Sequence, residues 1–385
     1  MITLNNQIPY GRHNVSERDV AAVVEILRGD WLTTGPAVEE FESRLKFLAK
    51  ADAVVVSSGT AALHCAYAGV GIKPGDEIIT TPLTFIATQA TAALLGAKII
   101  FADTQLDTGN IDPDQIESKI TKKTKAITVV DYAGHPCEID EIKSIAQKHG
   151  LYLIEDASHS IGSTYKNKPV GSLADLTTFS FFATKNVATG EGGAVISNNI
   201  ELLDRARKFG RQGMVKNEGE FVRTSDGPWH QEVHEFGLNY RLPDVLCALG
   251  ISQLARLDQF KRERTRVFDK YVEYLSPIPE LKLPTKRDYV DPMWHLFPLR
   301  VPSDLRKELF QYLKAQGFLV QVNYIPAHLH PVFSRHYSQG DFPNAEMYYS
   351  EEISLPMFVD SSLFNDEYFE RLTKTIQTFL VESKK

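Results

Sequence analysis

Cysteine is scarce: Cys65, Cys137 and Cys247 are the only three in 385 residues, far apart and with no CxxC pair. This excludes a disulfide framework or a thiolate zinc site as the organising chemistry and leaves three small hydrophobes for a core. Long apolar runs are missing too. No stretch approaches the roughly eighteen unbroken apolar residues of a membrane helix, and the first residues lack the basic-then-apolar layout of a signal peptide. The expectation is a cytoplasmic protein with no membrane partner. Positive charge is in deficit, 42 Lys+Arg against 49 Asp+Glu, and the net −7 is the wrong sign for sequence-independent nucleic-acid binding. A local basic pocket for a small anion stays open. Internal repeats and low-complexity tracts are absent as well.

What is present is an alternation of short β-rich apolar runs with helical stretches from about residue 15 to 245. Seven runs predict strands: 53–58, 77–81, 98–103, 126–131, 151–156, 177–181 and 193–198. They are apolar on both faces, as in a mainly parallel sheet covered by helices on both sides. Thr60–Gly69 and Ile139–Lys148 have the apolar spacing of such helices. From Asp244 to about Leu275 one long helix is expected, then a proline- and charge-rich loop. A strand (His295–Val301), a helix (Ser303–Gln316), a second strand (Phe318–Asn323) and a terminal helix (Asp366–Leu380) complete a smaller α+β unit. The expected division is 1–245 for a large α/β domain and 246–385 for the connecting helix and small domain.

In such sheets the reactive groups sit beyond the carboxyl ends of strands. Ser58-Gly59-Thr60 closes the first strand and opens a helix, so its N–H groups converge on a point suited to phosphate, although the same turn serves equally as a helix cap. Asp156 follows four apolar or buried-type positions and needs a cationic or proton-donating partner; a pyridinium N–H would serve, and so would a structural ion pair. Lys185 lies past a strand end in an apolar, glycine-flanked loop, where burial would free its amine as a Schiff-base nucleophile, though most loop lysines are solvated charges. Together they offer an anion site, a carboxylate for a ring nitrogen and an amine for an aldehyde. Those are the three attachments of pyridoxal 5′-phosphate (PLP).

The blocks DWLTTGPAVEEFE (30–42), SSGTAALH (57–64), TTPLTFIAT (80–88), IEDASHSIGS (154–163), FSFFATKNVATGEGGAV (179–195), GLNYRLPDVLCALGISQL (237–254) and SLP (354–356) stand in the order and spacing of a known family. Over essentially its whole length the chain resembles the DegT/DnrJ/EryC1/StrS sugar aminotransferases. The resemblance implies the type I, aspartate-aminotransferase fold. It implies PLP as cofactor, with Lys185 as the Schiff-base lysine, Asp156 on the pyridine nitrogen, Phe85 stacked on the ring and His159 near the phenolic oxygen. Gly59, Thr60 and Ser180 would hold the phosphate, and Asn239 would reach the phosphate in the neighbouring subunit, which implies a homodimer with shared sites. The blocks 8–13, 109–117, 129–139, 160–172, 227–233 and 321–326 most resemble the branch of pseudaminic acid type. That branch aminates C4 of a UDP-linked 4-keto-6-deoxy-N-acetylhexosamine with L-glutamate as donor. By position, Tyr10, Asp30, Trp31, Leu32, Thr33, Ser58, Ser180, Asn239, Gln321, Val322, Asn323 and Tyr324 would line the sugar-nucleotide site.

Two departures from the family pattern, Ser58 and Phe181-Phe182, leave the sugar-facing contacts less secure than the cofactor contacts. The lysine itself is present, whereas a dehydratase branch carries histidine there. Amination of another UDP- or dTDP-linked 4-keto or 3-keto sugar is the alternative within the family. Among rivals, a nicotinamide oxidoreductase fails because Gly190-Glu191-Gly192-Gly193 leads into a strand rather than a helix. A non-catalytic regulator on the same fold is opposed by intact Lys185, Asp156 and Ser180. His328 and His330 lack a nearby third ligand, so no metal is assigned.

Overall fold

The computed structural model describes residues 7–383. Seven strands form one sheet: β1 (Asp52–Val56), β2 (Glu77–Thr80), β3 (Lys98–Phe101), β4 (Thr124–Val130), β5 (Tyr152–Asp156), β6 (Leu176–Ser180) and β7 (Gly193–Ser197). Their order across the sheet is β1-β7-β6-β5-β4-β2-β3. Only β7 runs antiparallel, against both β1 and β6, and the other neighbours pair in parallel. All seven expected strands are therefore found. Their carboxyl ends, apart from that of β7, share one edge of the sheet.

The alternation within each strand separates two cores. Val55, Ile79, Ile127, Val129, Leu153, Phe179 and Ile196 belong to one, together with α1 (Glu17–Arg28), α2 (Pro36–Ala49), α5 (Ile139–His149) and α7 (Asp244–Leu254). Val54, Val56, Ile78, Ala126, Ile154, Leu176 and Val195 belong to the other, under α3 (Gly59–Gly69), α4 (Ala87–Leu94) and α6 (Ile200–Phe209). Each large side chain so buried contributes about 1.5–3 kcal/mol. Phe181 is among them, its ring 5.2 Å from that of Phe41, while Phe182 is 45% exposed.

A third core joins α8 (Leu257–Leu275), β8 (Phe297–Arg300), α9 (Ser303–Ala315), β9 (Glu352–Leu355) and α11 (Asp366–Glu382), with Ile8 packed into it. β8 and β9 pair antiparallel. Two expectations need correction here. The long helix is two helices broken at Ala255–Arg256, where the Arg256 guanidinium turns back to Asn14 and to the buried Asp19 carboxylate. Phe318–Asn323 is not a strand. Its ladder is interrupted because Phe318 pairs with Ile8 and Gln321 with Ser354, and the Asn323 N–H donates to the Glu352 side chain at 2.8 Å instead of to a backbone carbonyl. β9, rather than 318–323, is the partner of β8, and the short α10 (Pro343–Glu351) leads into it. Among the described residues, no helix is long and apolar enough to cross a membrane.

The backbones pass closely where β7 meets the end of β1: a Cβ on Gly193 would lie 2.4 Å from the Ser58 carbonyl oxygen and 2.8 Å from the Gly59 nitrogen. Gly193→Ala is therefore expected to push the start of α3 outward and cost about 1–3 kcal/mol. Urea unfolding of the apoprotein measures this; an unchanged midpoint would contradict the close approach.

Candidate active site

Asp156 is the last residue of β5 and 4% exposed. Its Oδ2 accepts the Thr88 hydroxyl at 2.8 Å, and its Oδ1 accepts the Ser158 hydroxyl at 2.6 Å and the Ser158 N–H at 3.2 Å. No salt bridge reaches it among the described residues. Two acids adjoin it. Asp131, beyond β4, accepts the Ser160 hydroxyl at 2.6 Å and the Cys137 N–H at 3.1 Å, and Glu155 accepts the Thr177 hydroxyl at 2.8 Å. Burial, then mutual repulsion, pushes the Glu155 carboxyl up, and burial pushes Asp131 up. Both shifts oppose further negative charge beside Asp156.

Lys185 follows β6 in a turn closed by its own N–H on the Phe182 carbonyl at 2.8 Å. Its amine has no hydrogen-bond or ion-pair partner among the described residues. Burial lowers it to about 8, against the pull of Asp156. The positive Lys185 in turn adds to the burial that holds His159 well below the ordinary imidazole range. Lys185 is thus within electrostatic reach of both the aspartate and the histidine.

His159 is 5% exposed, and its Nε2 lies 3.1 Å from the Tyr324 hydroxyl. Burial raises the Tyr324 phenol, so it keeps its proton, and His159 is its one hydrogen-bond partner among the described residues. Where the hydroxyl donates to Nε2, the neutral ring carries its proton on Nδ1. That Nδ1 is buried without a partner. An unsatisfied buried donor costs about 1–3 kcal/mol, which an acceptor on a bound ligand would offset.

At the end of β1, Ser58 caps α3 through Oγ, which accepts the Ala61 N–H at 3.0 Å. The cap and the open helix end coexist, because the first-turn N–H groups of Gly59 and Thr60 lie beyond that bond. A Cβ on Gly59 would stand 2.8 Å from the Ser180 hydroxyl, so Ser180, at the end of β6, abuts the same turn. Phe85 is 58% exposed, with its ring 6.0 Å from that of Tyr324.

The sugar-facing expectations fall into two groups. Tyr10 and 321–324 gather in one network: Asn323 Nδ2 donates to the Tyr10 hydroxyl at 2.7 Å and the Ser354 hydroxyl at 3.0 Å. The Tyr132 hydroxyl donates to the Asn323 carbonyl. Asp30, Trp31, Leu32 and Thr33 lie exposed before α2, on a turn pinned by Asp244, whose carboxylate accepts the Gly35 and Ala37 N–H groups at 2.9 and 3.0 Å. Asn239 is exposed, its Oδ1 3.4 Å from the Arg241 N–H. Neither that turn nor Asn239 touches the Lys185 cluster within this chain. Sequence reasoning missed Thr88, Tyr132, His295 and Glu352. Thr88 stood inside a quoted block; Glu352, fully buried and pushed up to about 8 by burial, stood beside SLP. Among the described residues no group of three or more His, Cys, Asp or Glu is placed to hold a metal ion, and His328 bonds Glu346 at 3.0 Å.

The model of the DegT/DnrJ/EryC1/StrS aminotransferase family matches residues 13–377. The chain belongs to that family. The spore coat polysaccharide biosynthesis protein SpsC of Bacillus subtilis is 39% identical over 366 residues, 93% of this chain and 94% of SpsC. A UDP-4-amino-4,6-dideoxy-N-acetyl-beta-L-altrosamine transaminase of Campylobacter jejuni is 38% identical over 366 residues, 92% of this chain and 94% of the relative. The solved Helicobacter pylori PseC, an aminotransferase of pseudaminic acid biosynthesis, superposes with a TM-score of 0.89 at 31% identity, covering 97% of this chain and 99% of PseC. The fold is thus the type I aminotransferase fold, and the family's cofactor is PLP. The residues present fit that group: a carboxylate without an ion-pair partner, an amine lowered to about 8, an orphaned imidazole Nδ1 and an open helix end.

Since the folded Lys185 amine releases its proton near pH 8 and an unfolded lysine near 10.5, the unfolded chain binds more protons between them. This group's contribution to apoprotein stability therefore rises with pH across that window. Competitive acylation of the apoprotein should give Lys185 a reactivity midpoint near pH 8. A midpoint shared with the surface lysines would contradict its burial.

Proposed function

We propose that this aminotransferase moves the amino group of L-glutamate to C4 of a UDP-linked 4-keto-6-deoxy-N-acetylhexosamine, as a homodimer carrying PLP on Lys185. The observation that carries the reading is the pairing of an unpartnered Lys185 amine with a buried Asp156 carboxylate that has hydroxyl and amide donors but no cation. The supporting comparison is the named activity of the Campylobacter relative. Residues 1–245 would form the cofactor-binding unit and 246–385 the smaller unit.

When bound, PLP supplies an electron sink for the pair of electrons left when a proton leaves the substrate carbon. Asp156 would hold the ring nitrogen protonated, an interaction that strengthens as charge flows toward it. Thr88 and Ser158 fix the direction of that carboxylate. Lys185, poised near neutrality, would carry the proton between donor carbon and cofactor carbon. His159 Nδ1 would donate to the phenolic oxygen, and Phe85 would cover the ring. Gly59, Thr60 and Ser180 would take the phosphate.

Large exposed apolar side chains on the segment before Asn239, Val222 (82%), Trp229 (76%) and Phe236 (97%), support cover by a second copy. Asn239, idle in its own chain, would then serve the neighbouring site, and Asp30–Thr33 would meet the nucleotide sugar. The comparable identity of SpsC favours a second reading, amination of another nucleotide-linked keto sugar.

With L-[15N]glutamate and a panel of UDP- and dTDP-linked 4-keto and 3-keto sugars, the label is expected at C4 of the UDP-4-keto-6-deoxy-N-acetylhexosamine. Faster labelling of another sugar would favour the second reading, and no labelling would overturn both. Mixing Lys185→Ala with Asn239→Ala chains should restore activity above either homodimer, because one site of the heterodimer escapes both lesions. No recovery, with heterodimers verified by mass, would remove Asn239 from the shared site.

A further inference from the structure

His295, just before β8, places its ring 4.4 Å from that of His159, tilted by 41°. The two rings are 6% and 5% exposed, and Nδ1 of each is buried without a partner among the described residues. The backbone enforces this approach. Asn186, the neighbour of Lys185, donates through Nδ2 to the carbonyls of His159 at 2.8 Å and Met293 at 3.1 Å. The His295 N–H bonds the Ala133 carbonyl at 2.8 Å. Gly134, at φ +94, lies so close under Met293 that a Cβ would meet its carbonyl oxygen at 2.2 Å. Met293–His295 is thereby fastened both to the Lys185 turn and to the His159 segment.

We propose that His295 is a positioning residue: packed on His159 from the smaller unit, it keeps that imidazole in one orientation, Nε2 on Tyr324, so that the ring beside Lys185 stays neutral. The inference rests on Lys185 carrying the cofactor, as argued above. The charged and titratable groups facing His159 are Lys185, Tyr324 and His295; those facing His295 are His159, Lys185 and Arg264. No carboxylate is among them; the nearest, Asp156, acts on Lys185 and Tyr324 rather than on either imidazole. Arg264 is held there, its Nη1 donating to the Trp294 carbonyl at 3.1 Å. Burial, and then these neighbours, hold both imidazoles well below their ordinary range. Removing the His295 ring would let water in and leave His159 free to turn and to take a proton.

The test uses holoenzyme with His295→Ala and His295→Phe. Two quantities are read: the PLP absorbance band near about 420 nm across about pH 5.5–8.5, and its decay in a single turnover with L-glutamate. The wild-type band is expected to stay flat. His295→Ala should introduce a titration at an imidazole-like midpoint and slow the decay about tenfold. His295→Phe, which restores the ring, should recover most of the rate and abolish the titration. His295→Asn replaces His295→Ala if the latter does not fold, with the same expectation. A flat band and a decay within about twofold of wild type in the ring-deleted variant would overturn the proposal and leave His295 as packing. If wild-type protein carries no borohydride-fixable pyridoxyl group on Lys185, the cofactor reading fails instead, and the proposal with it.

Discussion

A buried carboxylate without a cation is an unfinished interaction, and the site is arranged around one. Asp156 is held by two hydroxyls and an amide at the end of a central parallel strand, which orients it but leaves its charge unanswered. Burying such a group costs several kcal/mol unless a partner is supplied. Lys185 acts on it without forming an ion pair, and burial lowers the amine to about 8. A protonated ring nitrogen would answer it fully. The remaining features follow from the topology: the carboxyl ends of β1, β5 and β6 bring the α3 turn, the aspartate and the lysine turn to one edge of one sheet.

The large unit could be read from sequence because its signals are local. Seven apolar runs bounded by glycine, proline and charge became seven strands, and the helix-opening turn at Ser58 needed no tertiary knowledge. Asp156 and Lys185 stood out for the same reason: one ends an apolar strand and the other follows one closely. What escaped was set by contacts distant in the chain. Asn323 is irregular because a carboxylate 29 residues away takes its N–H, and Arg256 breaks a helix to reach Asp19, 237 residues away. His295 gave no signal at all, since an isolated histidine before a strand is indistinguishable from a core residue until its neighbour is known.

Residues from beyond the large sheet complete the cluster: Tyr324 hydrogen-bonds His159, His295 packs on that ring, and Asn323 and Tyr10 form a hydrogen-bonded face. Glu352 underlies this face by accepting the Asn323 N–H and the Ser354 hydroxyl. Tyr324 and Asn323, adjacent in the chain, thus join the His159 ring to this face. This explains why the sugar-facing residues are the hardest to assign from sequence: each acts through a partner on another element.

The most direct measurement of the central claim is borohydride reduction of the holoenzyme followed by peptide mapping. The account predicts a pyridoxyl group fixed on Lys185 and on no other lysine, with loss of the absorbance near about 420 nm. A pyridoxyl group on a different lysine, or an active enzyme from which no lysine can be labelled, would contradict it.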